Sequence, residues 1–143
     1  SPPEPDKIVK RFPNWVPPTH REAKAFAATF SLRGQLLAVY DCTVHLQMQH
    51  QGYLYLSRTH ICFQAVNLMT RGVHFVISLE DVKEIINGGS REVATLVLKR
   101  TIWLRDRNLS LSSVELRSCE SGSAAISVLL GRHEEDEEEE EDD

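Results

Sequence analysis

The sequence predicts a mainly β (α+β) domain, a small antiparallel barrel plugged by a C-terminal helix and preceded by a short N-terminal helix. Three observations predict it. Apolar residues recur with period two through most of the chain from Leu36 to Arg117. Helical spacing is confined to two flanking stretches, near residues 19–30 and 121–133. The length of 143 residues, 41% apolar and 26% charged, suits one core and excludes collagen, a low-complexity linker or a wholly disordered chain.

Residues 1–18 hold all six prolines and read as an extended lead-in, although Ile8, Val9, Phe12, Trp15 and Val16 give it side chains with which to dock. A helix then begins: Thr19 and Glu22 fit a capping box, and Ala23, Phe26, Ala27 and Phe30 form one apolar stripe. From Leu36 to Leu46 every second residue is apolar, which predicts a long half-buried strand. Gln47 to Gln51, followed by Gly52, reads as a polar connection, and Tyr53–Arg58 with His60–Val66 as a hairpin.

Val73, Phe75, Ile77 and Leu79 share a strand face after Gly72, and Glu80–Ile86 breaks the alternation before the turn Asn87-Gly88-Gly89-Ser90. Val93–Arg100, Ile102–Arg107 and Leu109–Arg117 complete six or seven strands. Ser121-Gly122-Ser123 opens a helix that presents Ile126, Leu129, Leu130 and His133. Such a helix covers the open end of a small barrel while burying its own stripe.

The net charge of −5 hides a polarity: ten of the 21 acids lie in residues 134–143, leaving 16 Lys+Arg against 11 Asp+Glu and a body of net +5. So dense an acidic run predicts a disordered tail. Nucleic acid is not expected as a partner, because the basic excess is modest and those acids would oppose a phosphate backbone. No apolar run approaches the roughly 20 residues of a bilayer span, and the chain as given reads as a soluble piece.

Three cysteines, Cys42, Cys62 and Cys119, suggest buried reduced thiols and no disulfide framework. Cys42 with His45 and His60 with Cys62 have metal-ligating residue types, but strand alternation points Cys42 and His45 to opposite faces, so no metal or cofactor is expected. There is no GxSxG, HExxH or phosphate loop, and no enzyme activity is expected.

The run Gln51-Gly52-Tyr53-Leu54-Tyr55-Leu56-Ser57, continuing through Arg58-Thr59-His60 to Ile61-Cys62-Phe63, resembles the hallmark hairpin of GRAM domains. Phe30-Ser31-Leu32, Leu37–Cys42 and Ile77–Ile85 resemble that family's flanking segments. The resemblance covers about residues 22–130. It implies a pleckstrin-homology-like fold, a bent seven-stranded antiparallel barrel capped by a C-terminal helix, dividing the chain into a lead-in (1–18), a GRAM domain (19–133) and an acidic tail (134–143). It also implies a non-catalytic adaptor of membrane-associated proteins, at the cytoplasmic face of intracellular membranes such as the endoplasmic reticulum or organelle contact sites, binding lipid or protein.

Many lipid-binding relatives of this fold grip phosphoinositides with cations flanking the first hairpin, but His45–Gln51 has no Lys or Arg. The densest basic stretch lies later. If Ile102–Arg107 is a strand, Trp103, Arg105 and Arg107 share a face, with Lys99 and Arg100 close by. A tryptophan among cations suits an anionic lipid surface. These five are the candidate lipid-binding residues, with Met48, between His45 and His50, as a candidate membrane contact. Arg33, Arg71, Lys83 and Arg91 sit at expected loops. The competing reading is an adaptor whose strand edge or apolar groove receives a peptide or a segment of the parent chain. In either case the acidic tail is a candidate competitor for the basic face.

Overall fold

The computed structural model describes residues 6–66, 72–89, 92–104 and 107–141, with side chains through residue 131. The elements are α1 (His20–Phe30), β1 (Leu36–Leu46), β2 (Met48–Ser57), β3 (His60–Ala65), β4 (His74–Ser78), β5 (Val82–Asn87), β6 (Val93–Leu104), β7 (Leu109–Arg117) and α2 (Glu120–Glu141). All neighbouring strands pair antiparallel in the order β4-β3-β2-β1-β7-β6-β5. The sheet is mainly β as expected, but it is not a closed barrel. β4 and β5 stand at opposite ends of the strand order, with no pairing between them among the described residues.

The interior is built from alternate positions. Val44, Leu54, Leu56, Ile61, Phe63, Ile77, Leu96 and Leu116 are all buried in one cluster with Ala125, Ile126 and Leu129 of α2. The α2 stripe therefore replaces water at one end of the curved sheet, which is the plug that the helical spacing predicts. The outer face of β2–β4 has its own cover. Phe26 and Phe30 of α1 pack with Leu36 and Cys62, and the Tyr55 ring lies 6.1 Å from Phe26 and 5.5 Å from Phe30. The capping box is formed: Glu22 N donates to Thr19 Oγ1 at 3.0 Å, and Thr19 N donates to Glu22 Oε1 at 2.8 Å.

The lead-in belongs to the folded unit from Asp6 onward. Lys7–Arg11 forms a 3-10 turn capped by Asp6 and buries Ile8 and Val9 in the main core. Phe12 is buried there too, Trp15 Nε1 donates to Leu37 O at 2.9 Å, and Tyr40 Oη donates to Pro13 O at 3.2 Å. Asp6 also pairs with Arg58. At the other terminus the helical backbone of α2 runs to Glu141, into the acids expected to be unstructured; glutamate is a good helix former.

Three strand expectations change. The stretch Met48–Gln51 is strand, because the turn is made by Gln47 at φ 69° and not near Gly52. Val82–Asn87 is strand β5, although Lys83 and Glu84 break its alternation. Val93–Leu104 is one strand where two were expected, and residues 105–106 lie outside the described residues. The total stays at seven because one missed strand offsets one split strand.

Gly52 has a different task from turning the chain. It faces Ala65 across β2 and β3, and a Cβ built there would lie 2.1 Å from Gln64 O and 2.8 Å from Ala65 Cα. Both are backbone atoms, so the crossing tolerates only hydrogen. Gly52→Ala is expected to lower stability by about 1–3 kcal/mol through overpacking, measured by urea unfolding; an unchanged midpoint would show that the strands can separate freely there.

Candidate functional site

The strand registers sort the connections between two ends. Val44 pairs with Leu116, and β7 runs back from there to Leu109, so the β6–β7 turn lies on the same side as the β1–β2 turn at Gln47. Gln64 pairs with His74, which puts the β3–β4 connection on that side as well. The β2–β3 and β5–β6 turns and the start of α2 occupy the other, plugged end.

Six large apolar side chains are well exposed among the described residues: Val16, Met48, Tyr53, Val66, Ile86 and Trp103. Three of them gather at the unplugged end, Met48 at 57%, Val66 at 51% and Trp103 at 53% exposure. Val66 was not a sequence candidate, because a single valine closing a hairpin strand carries no signal of exposure. Its position follows from its N–H, which donates to Gln51 O at 3.0 Å and fixes it beside the start of β2.

The candidate cations that the structure describes occupy different positions along β6 and after it. β6 carries a bulge: Val97 faces Ser113 and Ile102 faces Leu111, so four residues, Leu98 to Thr101, stand where β7 has only Ser112. Arg100 turns from this bulge to Asp81, Nε to Oδ1 at 3.0 Å, while Lys99 is exposed. Arg107 is exposed past the end of β6 in the β6–β7 connection, and Arg105 lies outside the described residues. Trp103 does face away from Ile102 and Leu104, which are half-buried against the core. Arg33 and Lys83 are exposed, and Arg71 and Arg91 lie outside the described residues.

Two histidines lie near the β1–β2 turn on opposite faces of the hairpin, His50 opposite Val44 and His45 opposite Gln49. His50 is 4% exposed, and Nδ1 of both His45 and His50 lacks a hydrogen-bond partner among the described residues. Burial holds the His50 pKa below its ordinary value; a backbone hydrogen bond at Leu46 opposes this, and the nearby charges of Arg107 and His45 reinforce it. The same couplings place Arg107 beside this hairpin.

The thiols lie elsewhere. Cys42 and Cys119 meet in the interior, where the hydrogen bond to Cys119 and then burial push the Cys42 thiol far up; burial alone pushes Cys62 to about 12. Neither arrangement favours a thiolate. Among the described residues no three His, Cys, Asp or Glu side chains converge on a metal position, and no helix is long and apolar enough to cross a membrane.

Compared with known protein families, residues 22–103 match the GRAM domain. The chain belongs to the GRAM domain family. GRAM domains are non-catalytic modules associated with membranes, engaging lipid or protein. The match spans α1 through the Trp103 region of β6, so His45, His50 and the β6 bulge fall inside the GRAM segment, whereas Arg107, β7 and α2 follow it. Among solved structures, the C-terminal domain of an unknown protein from Leishmania infantum is similar at 22% identity with a TM-score of 0.53, covering 75% of this chain and 93% of that one. That likeness concerns the fold alone. None of the curated proteins compared matches the chain.

The His50 environment gives this GRAM domain a pH signature. A histidine whose folded pKa is depressed resists a proton that the unfolded chain accepts near 6.5. Its contribution is thus fully present above pH 6.5 and is lost as pH falls through the folded value. Thermal melts between pH 7.5 and 5 should show a falling midpoint on acidification, with a shallower fall for His50→Gln; identical slopes would contradict the burial of this ring.

Proposed function

We propose that this GRAM domain docks a larger protein onto the cytoplasmic face of an intracellular membrane, the unplugged end facing anionic lipid. The observation that supports the reading is the gathering of Met48, Val66 and Trp103, all more than half exposed, beside Arg107. Exposed apolar side chains that share one rim with cations suit a head-group layer, where the indole sits at the interface and the cations meet phosphate or carboxylate. Phosphatidylserine and phosphoinositides both offer that chemistry. The endoplasmic reticulum and organelle contact sites are the compartments in which this reading places the parent protein.

The roles differ among the candidates. Trp103 and Met48 supply shallow insertion, Arg107 the charge at the rim, and Lys99 a second charge farther up β6. Arg100 contributes least, because its guanidinium already rests on Asp81. Arg105 joins Arg107 by proximity in sequence. The division into a lead-in (1–18), a GRAM domain (19–133) and an acidic tail (134–143) is retained as a functional one, the tail competing with lipid for the basic rim. A protein-adaptor role draws on a separate feature, the open edge between β4 and β6.

Flotation with phosphatidylcholine vesicles, with and without phosphatidylserine or a phosphoinositide, tests the reading. Binding at low salt should require the anionic lipid and should be lost in the double variant Met48→Ala, Trp103→Ala. Arg107→Gln should weaken it about fivefold, the effect of one cation near charged lipid, and Arg100→Gln much less. Absence of binding at low salt, or binding indifferent to these changes, would overturn it.

A further inference from the structure

The tip of the β6–β7 hairpin stands apart from the rest of the sheet. Thr43, Val44 and His45 of β1 pair with Arg117, Leu116 and Glu115 of β7, and β5 pairs with β6 no farther along than Leu98. Among the described residues, Ile102, Trp103 and Leu104 therefore pair only with Leu111, Ser110 and Leu109. A two-stranded ribbon is marginal without a third strand. This one is anchored by one face: Leu111 is buried, and Ile102, Leu104 and Leu109 pack partly against the core. Its other face carries Trp103, more than half exposed, directly opposite Ser110, which is exposed as well.

The sequence around Ser110 is the second observation. Arg107-Asn108-Leu109-Ser110 is the only place in the chain where a serine or threonine stands three residues after an arginine. Arg107 is exposed, and Asn108 turns the chain at φ 49°, a left-handed value that asparagine adopts readily. Local opening of such a ribbon needs few buried contacts to break, and it presents these residues as an extended segment. There the guanidinium lies about 10 Å before the hydroxyl. An arginine at that offset, with apolar Leu111 just after the acceptor, is the pattern that arginine-directed protein kinases read, carboxylates of their groove gripping the guanidinium fork.

We infer that Ser110 is a phosphorylation site for an arginine-directed serine kinase, and that the phosphate releases the rim from anionic lipid. The release rests on the membrane reading above; the site does not. In the transfer, Ser110 Oγ forms a bond to the γ-phosphorus of ATP and the bond from that phosphorus to the β–γ bridging oxygen breaks. ADP leaves, and the hydroxyl proton passes to a base of the kinase. The product carries about −1.5 to −2 charges at pH 7. It stands beside Trp103 on the exposed face of the ribbon and three residues from Arg107. The phosphate thus repels anionic lipid where the indole inserts and competes with it for the rim cation.

Incubation of the full 143-residue chain with magnesium ATP and the catalytic domain of a calcium/calmodulin-dependent protein kinase tests the inference, with the acceptor located by tandem mass spectrometry. One phosphate should enter, on Ser110. Ser110→Ala should take none, and Arg107→Gln should be modified at least tenfold more slowly. In low-salt flotation with phosphatidylcholine vesicles containing phosphatidylserine, the phosphorylated chain should bind about tenfold more weakly than the unmodified one. Ser110→Ala should bind like the unmodified chain, before and after kinase treatment. No incorporation, incorporation confined to other hydroxyls, or equal modification of Arg107→Gln overturns the site. Phosphorylation at Ser110 that leaves flotation unchanged, or that abolishes the thermal unfolding transition, overturns the release. If the unmodified chain does not float, the membrane reading fails and the release with it, while the mass measurement still decides the site.

Discussion

The burial of α2 against the concave face of the sheet is the constraint on which the rest depends. Ala125, Ile126 and Leu129 occupy space that the strands cannot fill themselves. The first turn of α2 is pressed close enough that a Cβ on Gly122 would come within 2.6 Å of Cys119 Sγ and 3.1 Å of Leu54 Cδ2. Tyr40, held there by the Pro13 carbonyl, has its hydroxyl pKa raised to about 12, mainly by burial. The lead-in packs against the same helix, with Asn14 Nδ2 donating to Ser121 Oγ at 2.8 Å. One end of the sheet is therefore committed to packing against α2, and Met48, Val66 and Trp103 lie at the other.

The bulge in β6 then decides how that free end is used. Four residues opposite one shorten the effective reach of β6, send Arg100 to Asp81 and carry Lys99 away from the tip. The C-terminal part of β6 extends beyond its pairing with β5, which reaches only to Leu98. One irregularity thus turns Arg100 to an acid and lies where the pairing of β5 with β6 ends, at Leu98. Edge strands are hazards that proteins usually blunt or cover, and β4 pairs on its outer side with no strand among the described residues.

Legibility in the sequence followed periodicity. Helix α1 was readable because its cap and stripe are local, and β1 because every second residue from Leu36 to Leu46 is apolar. β5 was not readable: exposed Lys83, Glu84, Ile86 and Asn87 leave little pattern in six residues. The division of β6 came from the bulge, whose polar run Lys99-Arg100-Thr101 looks like a turn when register is unknown. Prolines concealed the packing of Ile8, Val9 and Phe12, since a 3-10 turn needs little periodicity. For the site, residue types pointed to Trp103, Arg107 and Met48, but only pairing across β1, β7 and β6 brings them to one end, and Val66 joins them through a contact no local pattern encodes.

Orientation of the unplugged end toward lipid is the claim with most at stake, and the chain offers a direct probe because it has two tryptophans. With Trp15 replaced by phenylalanine, emission arises from Trp103 alone and can be followed in anionic vesicles whose acyl chains carry bromine. Quenching of Trp103 on vesicle binding is the predicted result. A chain that binds the vesicles with unquenched Trp103 emission would contradict it, because the membrane would then meet a different surface.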